Sequence, residues 1–311
     1  MIDVGHKTTT LRTATARAVI QARSATLDRV RERTVPKGDC LEVGRACAAL
    51  AAKNVANTIP YCHPIRIDWV GTLYEMTDEQ IQVDVTVHAV DRTGVEVEAM
   101  AAASAASLVI YDMLKMLDDS VSIEGIRLVQ KSGGKTDWNK IDPSGIRAGV
   151  LVCSDSISAG HKTDRSGELI RERLVGRGFD VAEYEVVPDD EDTIASTVRR
   201  WIDDDRIRLV ITTGGTGFGP RDHTPEAMDA VIEREAPGIV EAARAHGQER
   251  TPFSMLSRGR AGIRGEGLIV NLPGSTGGVK DSIDAVLTGV IHGFKMLRGG
   301  GHEDDPRGTQ G

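Results

Sequence analysis

Cysteine is scarce in this sequence. Its 311 residues hold four, Cys40, Cys47, Cys62 and Cys153, and no two form a Cys-x-x-Cys pair. Neither a zinc knuckle nor a disulfide-built scaffold is therefore expected. Aromatic residues amount to only 4%, so the cores must be made of Val, Ile, Leu and Ala. Nowhere do eighteen apolar residues run together. The longest weakly polar stretch, Ala99 to Ile110, is interrupted by two serines, so no membrane span is expected. The N-terminal residues lack a basic-then-apolar leader, which makes the cytoplasm the expected compartment. Positive charge is not in excess either: 38 Lys and Arg against 46 Asp and Glu give a net charge of −8. That balance argues against a nucleic-acid or anionic-membrane partner. Small anionic ligands stay open, because backbone amides can hold them.

Glycine, by contrast, is plentiful at 34 residues, and hydrophobic residues reach 40%. The length predicts roughly two domains of about 150 residues each. A boundary shows in KSGGKTDWNKIDPSG from Lys131, which is rich in Gly, Ser, Asp and Pro and has no apolar period. We place a first domain at 1–138, a linker at 139–146, a second domain at 147–298 and a disordered tail at 299–311. No internal repeat relates the halves.

The first half mixes its elements. Thr15–Gln21 alternates as a strand, and Glu42–Lys53 places Val43, Ala46, Cys47, Leu50 and Ala51 on one helical stripe. Alternating strands follow at Ile65–Glu75 and Gln80–Val90, then an Ala-rich helix to about Leu117 and a strand at Val121–Val129. This order predicts an α+β sandwich with helices on one face of the sheet. The second half alternates strictly. Strands are expected at Ala148–Cys153, Asp180–Val187, Arg208–Thr212 and Gly267–Asn271. Helices are expected near Gly167–Val175, after Asp190 or Asp192 with Ile194, Val198, Trp201 and Ile202 inward, and over Ser275–Leu297. Such an order predicts an α/β doubly wound parallel sheet that binds ligands at the carboxyl ends of its strands.

Several residues carry chemistry, although each alone has an ordinary structural explanation. His63 follows a helix and has the unperturbed pKa range suited to proton transfer, as does many a structural histidine. Glu96 and Glu98 share a face if extended; if helical, they diverge and sit in a first turn favoured by the macrodipole. Asp112 and Lys115 meet across one helical turn, as surface ion pairs do. Lys131 and Lys135 flank a Gly-Gly pair suited to wrapping a phosphate. Taken in order, KGD at Lys37, IPYCHP at Ile59, TGVEVEA at Thr93, YDMLK at Tyr111 and KSGGK at Lys131 resemble the cyclic pyranopterin monophosphate synthase family over nearly all of residues 1–138. The resemblance implies a ferredoxin-like α+β domain that assembles as a hexamer, with sites between subunits. It implies conversion of 3′,8-cyclo-7,8-dihydro-GTP to cyclic pyranopterin monophosphate with release of pyrophosphate, and no cofactor. It further implies Asp112 and Lys115 as the central acid/base pair and Lys131 as a second catalytic lysine. Lys37, His63, Glu96 and Glu98 become substrate-binding or proton-handling groups.

In the second half, ITTGGTGFGP from Ile211 ends a buried strand in a glycine-rich loop suited to an anion nest. No Gly-Lys-Ser/Thr follows, so it is not a Walker loop, and Pro220 stands after Gly219 where a dinucleotide fingerprint needs other spacing. RDHTPE follows from Arg221, with Thr224 as a candidate N-cap, Pro225 at the first helical position and Asp222 just outside. Asp189 and Asp190 end one strand, and NLPGSTGG from Asn271 ends another. Together with SDS at Ser154, DRSG at Asp164 and MLSRG at Met255, these runs resemble the molybdopterin adenylyltransferase family and the related molybdenum cofactor biosynthesis protein B family, over about 146–298. The resemblance implies trimers or hexamers, Mg2+ and ATP as cofactors, and adenylylation of molybdopterin. Gly214, Gly215, Thr216 and Gly217 would cradle the phosphates, with Ser275 nearby. Asp189 and Asp222 would serve the magnesium and the transfer, and Ser257 and Arg258 would face the pterin. The alternative is a pterin- or nucleotide-binding or scaffold module fused to a single enzyme.

Overall fold

The computed structural model describes residues 1–134, 137 and 141–299. Two compact units divide the chain, one from Met1 to Trp138 and one beginning at Asn139. Residues 139 and 140 of the expected linker, Lys135, and 300–311 of the expected tail lie outside the described residues.

In the first unit the order is β1 (Thr10–Gln21), α1 (Ser24–Arg31), α2 (Cys40–Thr58), β2 (Trp69–Met76), β3 (Gln80–Asp91), α3 (Glu96–Leu114) and β4 (Ser122–Ser132). The strands pair in the order β2-β3-β1-β4, every pair antiparallel, which is the ferredoxin-like arrangement. Period-two alternation buries Ala14, Ala16, Ala18 and Ile20 of β1 beside Ile81, Val83, Val85, Val87 and Ala89 of β3. Their core face is covered by α2 and α3.

That cover differs from the expected stripe. The inward residues of α2 are Cys40, Gly44, Ala48, Ala52 and Val55, while Val43 and Leu50 are exposed. Close packing sets this face: a β-carbon on Gly44 would stand 2.8 Å from the Tyr74 hydroxyl and 3.2 Å from Ile110. By length and composition alone α3 qualifies as a membrane span, against the expectation. Ala99, Ala102, Ala103, Ala106 and Ile110 are, however, the core of this unit. Nor is Gly133 a loose linker residue. Its φ is +91° and a β-carbon there would meet the Leu11 carbonyl, and the amides of Gly133 and Gly134 donate to Asp137 at 2.7 and 3.2 Å.

The second unit runs β5 (Arg147–Cys153), α4 (Asp155–Ser158), α5 (Ser166–Gly176), β6 (Asp180–Val187), α6 (Glu191–Asp203), β7 (Leu209–Thr213), α7 (Thr224–Val231), β8 (Arg234–Glu235), α8 (Pro237–Gln248), β9 (Ala261–Arg264), β10 (Gly267–Leu272) and α9 (Thr276–Leu297). Its sheet has the order β6-β5-β7-β10-β9-β8. The first four strands are parallel, whereas β9 and β8 are antiparallel additions at one edge. Gly265, at φ +51°, lets the chain reverse within two residues between Arg264 and Gly267, and so short a link permits only antiparallel pairing. One face is covered by α5, α8 and α9, through Ile170, Leu174, Val240, Ile283 and Ile291. The opposite face is covered by α6 and α7, through Ile194, Val198, Trp201 and Met228. The sheet is thus doubly wound, and its parallel strands deliver their carboxyl ends to one rim.

Candidate functional site

In the first unit the chemistry gathers at the two ends of α3. Toward its C-terminus, Asp112 accepts from Lys115 Nζ at 2.8 Å on Oδ1 and from Lys37 Nζ at 2.8 Å on Oδ2. Lys37 also donates to the Asp112 carbonyl at 2.9 Å. The hydrogen bond from Lys115, then that from Lys37, holds the Asp112 carboxyl down to about 2. Lys115 is raised in turn by Asp112. Such a carboxylate is a poor base near neutral pH; its effect is to hold two exposed ammonium groups side by side.

At the N-terminal end, Glu96 accepts from Lys131 Nζ at 3.0 Å. Burial alone would raise Glu96, but its own helix-start amide, Lys131 and the nearby Arg12 outweigh that and lower it. Glu98 is 2% exposed, rather than on the surface as a plain dipole-stabilised pair would be. Its Oε1 accepts from the Cys62 thiol at 3.3 Å, and its Oε2 has no partner among the described residues. Burial pushes the Glu98 carboxyl up, and burial together with Glu98 pushes the Cys62 thiol up to about 11. The imidazole Nε2 of His63 lies 2.9 Å from the Ile2 carbonyl oxygen. Of these groups Glu96, Cys62 and His63 border a cavity of about 660 Å³, lined also by Ile2 and Lys7.

Lys37, Asp112 and Lys115 therefore meet, and Glu96 and Lys131 meet beside Glu98 and His63. The two groups do not join within one chain. About 24 Å of helix axis separates Glu96 from Asp112, at about 1.5 Å per residue.

In the second unit, loops from β5, β6, β7 and β10 converge on a cavity of about 350 Å³. Gly214 and Gly215 turn the chain at φ +102° and +58°. A β-carbon on Gly215 would lie 2.4 and 2.5 Å from the Asp189 oxygens, so only glycine lets the carboxylate approach the nest. Asp189 is buried, accepting from the His223 amide at 3.3 Å and the Thr224 hydroxyl at 3.4 Å. Thr224 is thus used on Asp189 and is not the helix cap; α7 begins after His223 without a side-chain cap. Burial raises the Asp189 carboxyl, and the charges of Asp222 and Asp155 add to that. Asp222 accepts from the Gly219 amide at 2.7 Å.

Thr216 is buried and within 3.4 Å of the Ser257 hydroxyl. Arg258 is engaged as a brace: it donates to the carbonyls of Gly217 and Asp222 at 2.8 and 2.6 Å and pairs with Glu226. Ser275 caps α9 through the Gly278 amide at 3.2 Å. Among the described residues no group of three His, Cys, Asp or Glu side chains is placed to hold a metal ion unaided. Two mutually repelling carboxylates beside an amide nest nevertheless fit a magnesium ion, which takes one or two carboxylates and fills its remaining positions from phosphate and water.

The comparisons with known proteins fall on the same two units. Residues 1–134 match the MoaC family, and residues 149–293 match the family described as "Probable molybdopterin binding domain". The molybdenum cofactor biosynthesis bifunctional protein of Chlorobaculum tepidum is 39% identical over 97% of this chain and 96% of its own length. The chain belongs to the molybdenum cofactor biosynthesis bifunctional protein family. The Synechococcus elongatus protein of that name is 36% identical over 97% of this chain and 98% of its own length. The cyclic pyranopterin monophosphate synthase of Nitratidesulfovibrio vulgaris is 44% identical over 44% of this chain and 86% of its own. The crystal structure of the molybdopterin biosynthesis enzyme MoaB from Thermus thermophilus is 44% identical, covering 50% of this chain and 97% of that one, with a TM-score of 0.48.

For this bifunctional family member, reading the sequence missed Cys62, Asp155 and Arg221 as site residues. Cys62 satisfies one oxygen of Glu98. Asp155 accepts from the Asp189 amide at 3.1 Å and from Arg221 at 2.8 and 3.0 Å. The signal was present for Asp155, an acid at a strand's carboxyl end like Asp189. None existed for its pairing with Arg221, which lies 66 positions along the chain.

Proposed function

We propose that the protein catalyses two steps of molybdenum cofactor synthesis, one in each unit. The first unit converts 3′,8-cyclo-7,8-dihydro-GTP to cyclic pyranopterin monophosphate and pyrophosphate, without a cofactor. The observation that carries this reading is the Lys37–Asp112–Lys115 cluster, two exposed ammonium groups locked on one carboxylate. A triphosphate substrate needs that charge, and Lys115 holds a proton to give. Glu98, buried with one oxygen unpartnered among the described residues and its carboxyl raised by that burial, suits the complementary proton transfer. Lys131 and Glu96 extend the cationic, hydrogen-bonding wall, and His63 binds substrate or handles protons beside them. Since the two groups lie at opposite ends of α3, the site is completed by a second copy, which favours a homo-oligomer, a trimer or hexamer.

The second unit adenylylates molybdopterin with Mg-ATP. Amides of Gly215, Thr216 and Gly217 hold phosphate oxygens, Gly214 shapes the turn while its own amide donates to the Leu272 carbonyl at 3.3 Å, and Ser275 lies near them. Asp189 and Asp222 hold the magnesium, which supplies charge neutralisation at the reacting phosphate. Ser257 contacts the pterin, and Arg258 fixes the wall behind it. We place the protein in the cytoplasm, without nucleic-acid or membrane partners.

The first reaction is tested by pyrophosphate release from the cyclised dihydro-GTP substrate. Asp112→Asn should lose about 10²- to 10⁴-fold in kcat, with its thermal midpoint little changed. Wild-type activity in Asp112→Asn would reject the assignment.

A further inference from the structure

Arg221 stands at the rim of the Gly214–Gly215 cavity and carries no role in either proposed reaction. Its side chain is 69% exposed, yet both Nε and Nη2 are spent on one oxygen, Oδ2 of Asp155, at 3.0 and 2.8 Å. The other oxygen, Oδ1, accepts from the Asp189 amide at 3.1 Å. One carboxylate thus ties the arginine to the backbone of the buried acid. Arg221, Asp155, Asp189, Asp222, Gly214 and Gly215 line the same cavity.

We propose that Arg221 is the side chain that takes the polyphosphate of a nucleotide entering this cavity, and that Asp155 holds it in reserve until then. The proposal rests on the Mg-ATP reading of this unit. Three facts carry it. First, the cavity holds three carboxylates, Asp155, Asp189 and Asp222, and amides alone offer a polyphosphate little net charge against them; among the described residues Arg221 is the cation in its lining. Second, a solvent-exposed ion pair is weak, so exchanging Asp155 for phosphate costs little, whereas phosphate returns a bidentate, charge-assisted contact to the guanidinium fork. Third, Arg221 lies one residue from Asp222 and two from His223, whose amide holds Asp189. Its movement is therefore confined to the turn that carries Asp222 and the amide that holds Asp189.

The exchange makes opposite demands on two variants. Arg221→Ala removes the phosphate contact. Asp155→Asn keeps an amide oxygen for the Asp189 backbone but releases the guanidinium. Binding is measured by calorimetry on the full-length protein with metal-free ATP and with inorganic tripolyphosphate, in chelator, after melting curves show each variant folded. Arg221→Ala should weaken both ligands about tenfold or more, with Arg221→Lys between it and wild type. Asp155→Asn should tighten both about two- to fivefold, the strength of the exposed pair it breaks. Unchanged affinity in Arg221→Ala, or no tightening in Asp155→Asn, overturns the proposal. Wild-type protein that binds tripolyphosphate through Arg221 but takes up no ATP, in chelator or with magnesium restored, leaves the arginine assignment standing and removes the nucleotide reading. Wild type that binds neither ligand in chelator overturns the arginine proposal, and if it also binds no ATP with magnesium it overturns the Mg-ATP reading as well.

Discussion

A single buried carboxylate shows how residue chemistry fixes this fold. Asp118 sits just beyond α3 and accepts from the amides of Arg23 and Ser120 at 2.7 and 2.9 Å and from the hydroxyls of Ser120 and Thr26 at 2.6 and 3.2 Å. Burial alone would raise its carboxyl, but those donors hold it at about 2. Its stabilising contribution is therefore complete above the unfolded value of about 3.9 and is lost as pH falls toward 2. Asp118→Ala should cost about 3 kcal/mol near neutral pH, because buried donors lose their acceptor. Denaturant titrations should show the gap to wild type narrowing between about pH 4 and pH 2. Asp189 has the opposite sign. Its raised carboxyl means that the fold holds a proton more readily than the unfolded chain, so ionisation at neutral pH works against folding. Asp189→Asn should melt higher than wild type at pH 7, with the gain shrinking as pH falls toward the ordinary aspartate range and absent below it, while adenylyl transfer is lost. A lower midpoint would contradict the account. At this scale local spacing was legible, as with Asp112 and Lys115 one turn apart. Burial was not: nothing near Glu98 in sequence announces that it, rather than Glu96, is enclosed.

Elements were legible where one period dominates. The span of β6 and the stripe of Ile194, Val198, Trp201 and Ile202 on α6 follow from alternation and from the 3.6-residue period. The face of α2 did not follow, because two helices lie over one sheet face and the closer approach selects the smallest residues. Gly44, Ala48 and Ala52 go inward and larger side chains stay out. Gly44→Ala should therefore destabilise the first unit by about 1–3 kcal/mol, although alanine is the better helix former. Equal or higher stability in thermal melts would show that α2 has room the packing denies. Reversal of β9 was hidden for a related reason: a two-residue turn at Gly265 overrides the alternation that made a fully parallel sheet the simplest reading.

At the scale of the whole molecule, one chain carries two units, and each presents its acids and cations at strand ends or helix ends. Because Asp112 and Glu96 are about 24 Å apart along α3, the proposed first reaction requires a second copy to supply the missing group. Mixing Asp112→Asn with Lys131→Ala subunits, each inactive alone, should restore about a quarter of wild-type activity, since random assembly leaves that share of sites intact. No recovery would place the whole site in one chain. The second unit's cavity is lined by its own strand-end loops, so the adenylyl transfer proposed for it should be indifferent to that mixing. Adenylyl transfer by this second unit is the claim on which a two-enzyme protein stands. The most direct measurement supplies purified full-length protein with molybdopterin and Mg-ATP and seeks adenylylated pterin by mass spectrometry. The account predicts that product from wild type and none from Asp222→Asn. Folded, pterin-binding wild-type protein that yields no product would contradict it and leave the second unit as a binding module.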